Sequence, residues 1–216
     1  MRIVISSAGR RVYLVQWFQE ALYEAGLVGE VIVIEHDPNA ATAAAADSYR
    51  AIPAFTSPEY APAMLDIIDE LQPELFLSLN DHELTALSEG LADELRARGV
   101  VTPVLDEQSH RAVADKLAMS QVLQQAGICT PRTVLLSDVA AVQDLLYNTN
   151  NIVVKDRWGS GSSGLRRFTS AQACRWVEQR YHHATGTEAH RLDDIIVQPD
   201  VGGIEYGLDV ITAVRG

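Results

Sequence analysis

Lysine is nearly missing from this chain: of 17 basic residues 15 are arginine, and only Lys116 and Lys155 are lysine. Cysteine is as sparse. Cys129 and Cys174 are the only two, without metal-ligand spacing, which excludes a disulfide-stapled scaffold and fits a reducing compartment. No apolar run approaches the ~20 residues of a membrane span, and the opening Met1-Arg2-Ile3-Val4-Ile5 is too short for a signal peptide. The chain therefore reads as a cytoplasmic protein with no membrane partner. Positive charge is also in deficit. A formal net charge of −12 over 216 residues argues against nonspecific nucleic-acid binding, which depends on Lys and Arg neutralising phosphates. A small phosphorylated ligand is still admitted, because it needs only a local cluster of donors.

What the chain does have is apolar residues, 47% of the total, enough for a packed core in one large domain or two small ones. Short β-rich runs alternate with helical patterns over the first hundred residues. Strands are predicted at Arg2–Ser6, Glu30–Glu35, Glu74–Leu79 and Val100–Leu105. Helices are predicted at about Arg11–Ala25, Pro58–Leu71 and Asp81–Arg98, with a short one in the Ala-rich stretch Ala40–Ala46. This order implies an α/β fold with a mostly parallel sheet and helices on both faces, whose ligands gather beyond the carboxyl ends of the strands.

After Leu105 the pattern changes. Asp106–Ala126 reads as two short helices closed by Gly127-Ile128-Cys129-Thr130-Pro131. A β/α unit follows: strand Thr133–Leu136, helix Asp138–Tyr147, strand Ile152–Lys155, then a Gly/Ser loop. A strand near Leu165–Phe168, a helix over Ser170–His183 and strands at Asp194–Gln198 and Glu205–Val214 complete the reading. Two domains are expected, residues 1–105 and 106–216. The last β-run needs a partner strand, so part of a sheet is expected to be missing.

The loop Gly159-Ser160-Gly161-Ser162-Ser163-Gly164 satisfies G-x-G-x-x-G. A dinucleotide site needs a helix opening directly from that motif, whereas here Leu165-Arg166-Arg167-Phe168-Thr169 is extended, so a strand–loop–strand arrangement is favoured. A phosphate-cradling P-loop is excluded because no Lys-Ser/Thr pair follows the last glycine. A bland surface hairpin explains the loop alone equally well. Lys155 at its entrance, one of two residues kept as lysine in an arginine-rich chain, favours phosphate; a compositional bias toward arginine is the competing explanation.

The order of these segments resembles a known family. Asp115-Lys116 opens a helix, Val153-Val154-Lys155 leads into the glycine loop, and Gln198-Pro199-Asp200-Val201-Gly202-Gly203-Ile204-Glu205 runs into Tyr206-Gly207-Leu208-Asp209-Val210. Together they are similar to the ATP-grasp superfamily, in particular its carbamoyl-phosphate-synthase-like branch. Ser6-Ser7-Ala8-Gly9-Arg10-Arg11-Val12-Tyr13-Leu14, Asp37-Pro38-Asn39 and Asn80-Asp81-His82-Glu83-Leu84 have counterparts there as well. The resemblance implies a Rossmann-like pre-ATP-grasp domain followed by an incomplete ATP-grasp domain. It implies that Lys116 and Lys155 contact the phosphates of ATP and that Gly159, Ser160, Gly161, Ser162, Ser163 and Gly164 fold over them. Gln198 would face adenine, with backbone through Asp200 and Val201 completing that contact, and Glu205 would bond the ribose. Gln198 departs from the more usual Glu, and Pro199 removes a backbone donor.

In this family Mg²⁺ is held by acidic and Asn residues on later strands, so its ligands are expected beyond Gly216 and the isolated chain is expected to be inactive. The chemistry implied is activation of a small-molecule carboxylate as an acyl phosphate for attack by an amine. A homo-oligomer or a complementing chain would complete the protein. Two other readings stay open: a noncatalytic nucleotide-binding module, and a Rossmann-type oxidoreductase disfavoured by the loop's context. Among smaller candidates, Arg157, Arg166 and Arg167 either join the phosphates or are surface charge. Arg10 and Arg11 either bind an anion or cap a helix. Asp81 and Glu83 either face a substrate or belong to a helix cap set by Asn80 or Asp81. Trp158 packs at the base of the loop, and His182-His183 suits a helix C-terminus.

Overall fold

The computed structural model describes residues 1–159, 162, 164–183 and 191–207. They form two compact units, Met1–His110 and Arg111–Gly216.

In the first unit β1 (Arg2–Ser6), β2 (Glu30–Glu35), β3 (Ser48–Ala51) and β4 (Leu75–Ser78) make a parallel sheet in the order β3-β2-β1-β4. The run Glu30-Val31-Ile32-Val33-Ile34-Glu35 is apolar on both faces, as a strand covered on both sides must be. On one face Val4, Ile32, Ile34 and Phe76 pack with Met64 and Ile68 of α3 (Tyr60–Leu71) and Leu95 of α5 (Ala92–Ala97). On the other, Ile3, Ile5, Val31 and Val33 pack against Val15 and Leu22 of α1 (Val12–Glu24), with Ala45 of α2 (Ala41–Ala45) at the edge.

Three local readings are corrected. The helix expected over residues 81–98 is broken into α4 (Asp81–Ala86), a π-helical turn at Leu87–Leu91 and α5, because Gly90 takes φ 124° and Glu89 leaves the helical region. The strand expected at Val100–Leu105 is reduced to one bridge, Leu75 to Val101. Edge strand β3 was not expected at all: Ser-Tyr-Arg-Ala has no apolar run and is held by pairing with β2.

The second unit begins in α6 (Glu107–Ala114) and continues into α7 (Lys116–Gln125). Its sheet joins β5 (Val134–Leu135), β6 (Asn151–Asp156), β7 (Arg166–Thr169) and β8 (Ile195–Pro199) in the order β5-β8-β6-β7, all antiparallel. One face is closed. Val134, Ile152, Val154, Phe168 and Val197 pack against Val142 and Leu145 of α8 (Val139–Asn148) and Ala173 and Val177 of α9 (Ser170–His183). Of the strand expected over residues 205–214, residues 205–207 carry no strand and the remainder lie outside the described residues.

Candidate functional site

Antiparallel strands place paired residues on the same face, so the register assigns the other side of the second sheet without ambiguity. Lys155 lies opposite Ile196, which lies opposite Leu135; Val153 lies opposite both Gln198 and Arg167. Lys155, Gln198 and Arg167 therefore share the face turned away from α8 and α9. Burial depresses the pKa of the Lys155 ammonium, and the charge of Lys116 depresses it further.

Lys116 is the first residue of α7. Its Nζ donates to the carbonyl oxygens of Gly159 (2.6 Å) and Arg157 (3.3 Å), and its backbone N–H also donates to Arg157 O (3.2 Å). Gln198, nearly buried, donates from Nε2 to Thr133 Oγ1 (2.6 Å), and Thr133 donates onward to Ser120 Oγ (3.1 Å). Ser120 lies one helical turn beyond Lys116. This polar chain connects the central strand β8 to the same face of α7 that carries the lysine.

Asp115, which the sequence places at the opening of a helix, has a second role that the sequence did not give. It caps α7 by accepting from Leu117 N–H (2.9 Å). Its two oxygens also take both ends of the Arg157 guanidinium, at 2.8 Å from Nε and 2.5 Å from Nη2. Burial raises the Asp115 carboxyl pKa, but the Arg157 bonds and the helix N–H groups outweigh burial, leaving it below the ordinary value. A capping Asp was legible before Lys116; that its partner lies 42 residues away was not. Arg157 is thereby engaged by Asp115 and is not a free surface charge. Its guanidinium also lies over the Trp158 ring, 4.8 Å from the centroid, and Trp158 Nε1 donates to Asp194 (3.3 Å).

The loop between β6 and β7 is strand–loop–strand, as expected. Gly159 and Gly164 take φ 82° and 69°, and Ser162 takes φ 60°. At Gly164 the backbone favours glycine, and a Cβ would stand 2.4 Å from Asp156 Oδ1, so the carboxylate would have to move to admit one. Ser160, Gly161 and Ser163 lie outside the described residues. Asp200 accepts from Arg167 Nη1 (3.2 Å) and from Gly202 N–H (3.1 Å), which ties Arg167 to the segment after β8. Val201 and Glu205 are exposed, and Arg166 carries an exposed edge position on β7. A cavity of about 430 Å³ at the foot of the loop is lined by Asp156, Trp158, Arg191, Asp194 and Ile195.

In the first unit, Glu83 does not face a substrate. It is buried and accepts hydrogen bonds from Ser6 Oγ (2.6 Å), Tyr60 OH (2.5 Å) and Ser78 Oγ. Asn80 is the helix cap, accepting from the N–H groups of His82 and Glu83. Burial of Glu35, with the Glu83 charge adding to it, raises the Glu35 carboxyl pKa against the opposing hydrogen bond from Gly9 N–H. Arg10 and Arg11 are exposed, and Arg11 caps α1 without a side-chain bond.

The fold of the chain is similar to that of the amino-terminal part of several solved enzyme structures. Residues 3–104 match the family described as PylC-like, N-terminal domain. Among solved structures, the biotin carboxylase domain of Hydrogenobacter thermophilus 2-oxoglutarate carboxylase, in complex with MgADP, ADP and bicarbonate, aligns with TM-score 0.62 and 19% identity over 92% of this chain and 44% of that one. Staphylococcus aureus N5-carboxyaminoimidazole synthetase complexed with ADP aligns with TM-score 0.62 and 11% identity over 92% of this chain and 47% of that one. Campylobacter jejuni biotin carboxylase in a β-γ-ATP complex gives TM-score 0.60 and 19% identity over 93% and 45%. The chain thus spans less than half the length of each structure described here. Comparison with curated proteins gives no match. No helix among the described residues is long and apolar enough to cross a membrane.

Proposed function

We propose that this chain is the nucleotide-binding front portion of an ATP-grasp ligase, an enzyme that activates a carboxylate as an acyl phosphate for attack by an amine or similar nucleophile. The observation that carries this reading is Lys116 at the start of α7 with its Nζ on the carbonyl oxygens of Arg157 and Gly159 at the entrance of the glycine loop, which Lys155 near the end of β6 precedes by only two to four residues. Two ammonium groups at one loop suit an anion bearing several charges, and a triphosphate is such an anion. Gln198 on the same face would meet the adenine, with backbone at Asp200 and Val201 beside it, and Glu205 would meet the ribose. Gly159, Ser160, Gly161, Ser162, Ser163 and Gly164 would cover the phosphates. Small residues there let backbone N–H groups approach closely.

Magnesium bound with the nucleotide would neutralise phosphate charge. Among the described residues no group of three or more His, Cys, Asp or Glu is gathered for a metal, and none is assigned that role here.

Calorimetric titration with ADP, ATP and NAD, with and without Mg²⁺, tests the reading. Uptake of ADP and ATP that Lys155→Ala weakens is expected. Binding of NAD alone, or of no nucleotide at millimolar concentration, would overturn it.

A further inference from the structure

Lys116 Nζ rests on the carbonyl oxygens of Arg157 and Gly159, two and four residues beyond Lys155, and the second unit contains a connection suited to hold it there. Asp115 and Lys116 are neighbours at the start of α7, whereas Lys155 and Arg157 are two residues apart at the end of β6. The Asp115–Arg157 pair therefore joins the two lysine-bearing segments directly. Its geometry is bidentate, with Asp115 and Arg157 side chains only 8% and 22% exposed. Arg157 is in turn fixed at its backbone, where N–H donates to Asp194 O (2.7 Å) and C=O accepts from both the N–H and Nζ of Lys116. Its guanidinium stacks on Trp158 and reaches Asp193 O (3.4 Å).

We propose that Asp115 and Arg157 are positioning residues that hold Lys116 beside Lys155, so that the two ammonium groups act as one phosphate clamp. Neither needs to touch the nucleotide. The carboxylate caps the helix with one oxygen and receives the guanidinium on both, which fixes the first turn of α7 against the entrance of the loop. Lys116 Nζ, resting on the carbonyls of Arg157 and Gly159, is thereby held where it can exchange those weak neutral acceptors for a charged one. The inference rests on the nucleotide reading above.

The test is a double-substitution cycle on the full 216-residue chain, read by ADP affinity in calorimetry with folding checked by circular dichroism. Asp115→Asn retains a capping side chain and removes the charge; Arg157→Lys retains the charge and removes the bidentate fork. Each is expected to weaken ADP about tenfold. In a Lys116→Ala background the same substitutions should add less than about twofold, because their effect runs through Lys116. Losses that add fully to that of Lys116→Ala, or parent-like ADP affinity in either folded variant, would overturn the proposal. If Asp115→Asn does not fold, Arg157→Lys alone decides by the same criterion. Absence of ADP binding to the unsubstituted chain would instead sink the nucleotide reading itself, a result distinguishable from failure of the clamp.

Discussion

Replacing Glu83 with alanine should cost the first unit about 3–4 kcal/mol, and replacing it with glutamine only about 1–2 kcal/mol. The difference follows from the three hydroxyls that donate to this carboxylate. Ser6 and Tyr60 are themselves buried, at 0% and 3% exposure, and have no route to water once the acceptor is removed. Each such orphan costs about 1–3 kcal/mol, and the truncated side chain leaves a void besides. Relief from burying a carboxylate offsets part of the sum. Glutamine keeps one carbonyl oxygen for Ser6 and Tyr60, both of which bond Oε1, and turns its amide toward Ser78, whose hydroxyl can accept as readily as it donates. Only the charge-assisted fraction is lost. Urea denaturation gives the total, and hydrogen exchange of the β1 and β4 peptides assigns it to the first unit. An alanine variant within about 0.5 kcal/mol of the parent, the range of featureless surface substitutions, would refute the reasoning and make the buried charge a net burden.

Other expectations follow from the same geometry. Lys155→Ala should weaken ADP by about 1–3 kcal/mol, as for loss of a charge-assisted contact. Because the folded state depresses the Lys155 pKa, the unfolded chain holds the proton more tightly, and this group's contribution to stability is present above pH 10.5 and lost as pH falls through the folded value. Lys155→Met should therefore raise the melting midpoint at neutral pH while weakening the nucleotide, a combination that scanning calorimetry with and without ADP detects. Glu35 has the opposite sign. Its raised carboxyl favours the folded state below pH 4.5, and that contribution disappears as pH rises through the folded value. Glu35→Gln should flatten the stability profile across that window in urea titrations at stepped pH. Gly164→Ala should destabilise its loop by about 2–3 kcal/mol, against about 1–2 for Gly159→Ala, which has the same left-handed backbone but open space for a Cβ. Rates of limited proteolysis across residues 157–165 would rank the two.

The elements that were legible in the sequence are those whose pattern is set by burial. β1 and β2 are read residue for residue, because a strand covered on both faces must be apolar throughout. β3 escaped because an edge strand can be built from Ser-Tyr-Arg-Ala when its neighbour supplies the hydrogen bonds. The break near Gly90 was advertised only by the glycine itself, and helical periodicity continues across it. At the candidate site the two lysines stood out by rarity. Asp115 was legible only as the residue opening a helix; Arg157, and Glu83 in the first unit, were legible as candidates but without their partners. Asp115 and Arg157 are partners 42 residues apart, and Glu83 bonds Ser6 across 77, separations which no local pattern records.

The strand at the end of the second sheet, β7, has a consequence for how copies of this protein behave in a crowded solution. Among the described residues its outer side has no strand beside it, and the Thr169 N–H donates to Gln172 Oε1 (2.9 Å) instead of to a neighbouring strand. Its sequence is Arg-Arg-Phe-Thr, with the two guanidinium groups on opposite faces. Arg167 is bonded to Asp200 whereas Arg166 is exposed, and a charged side chain on an edge strand disfavours pairing with a second copy of itself.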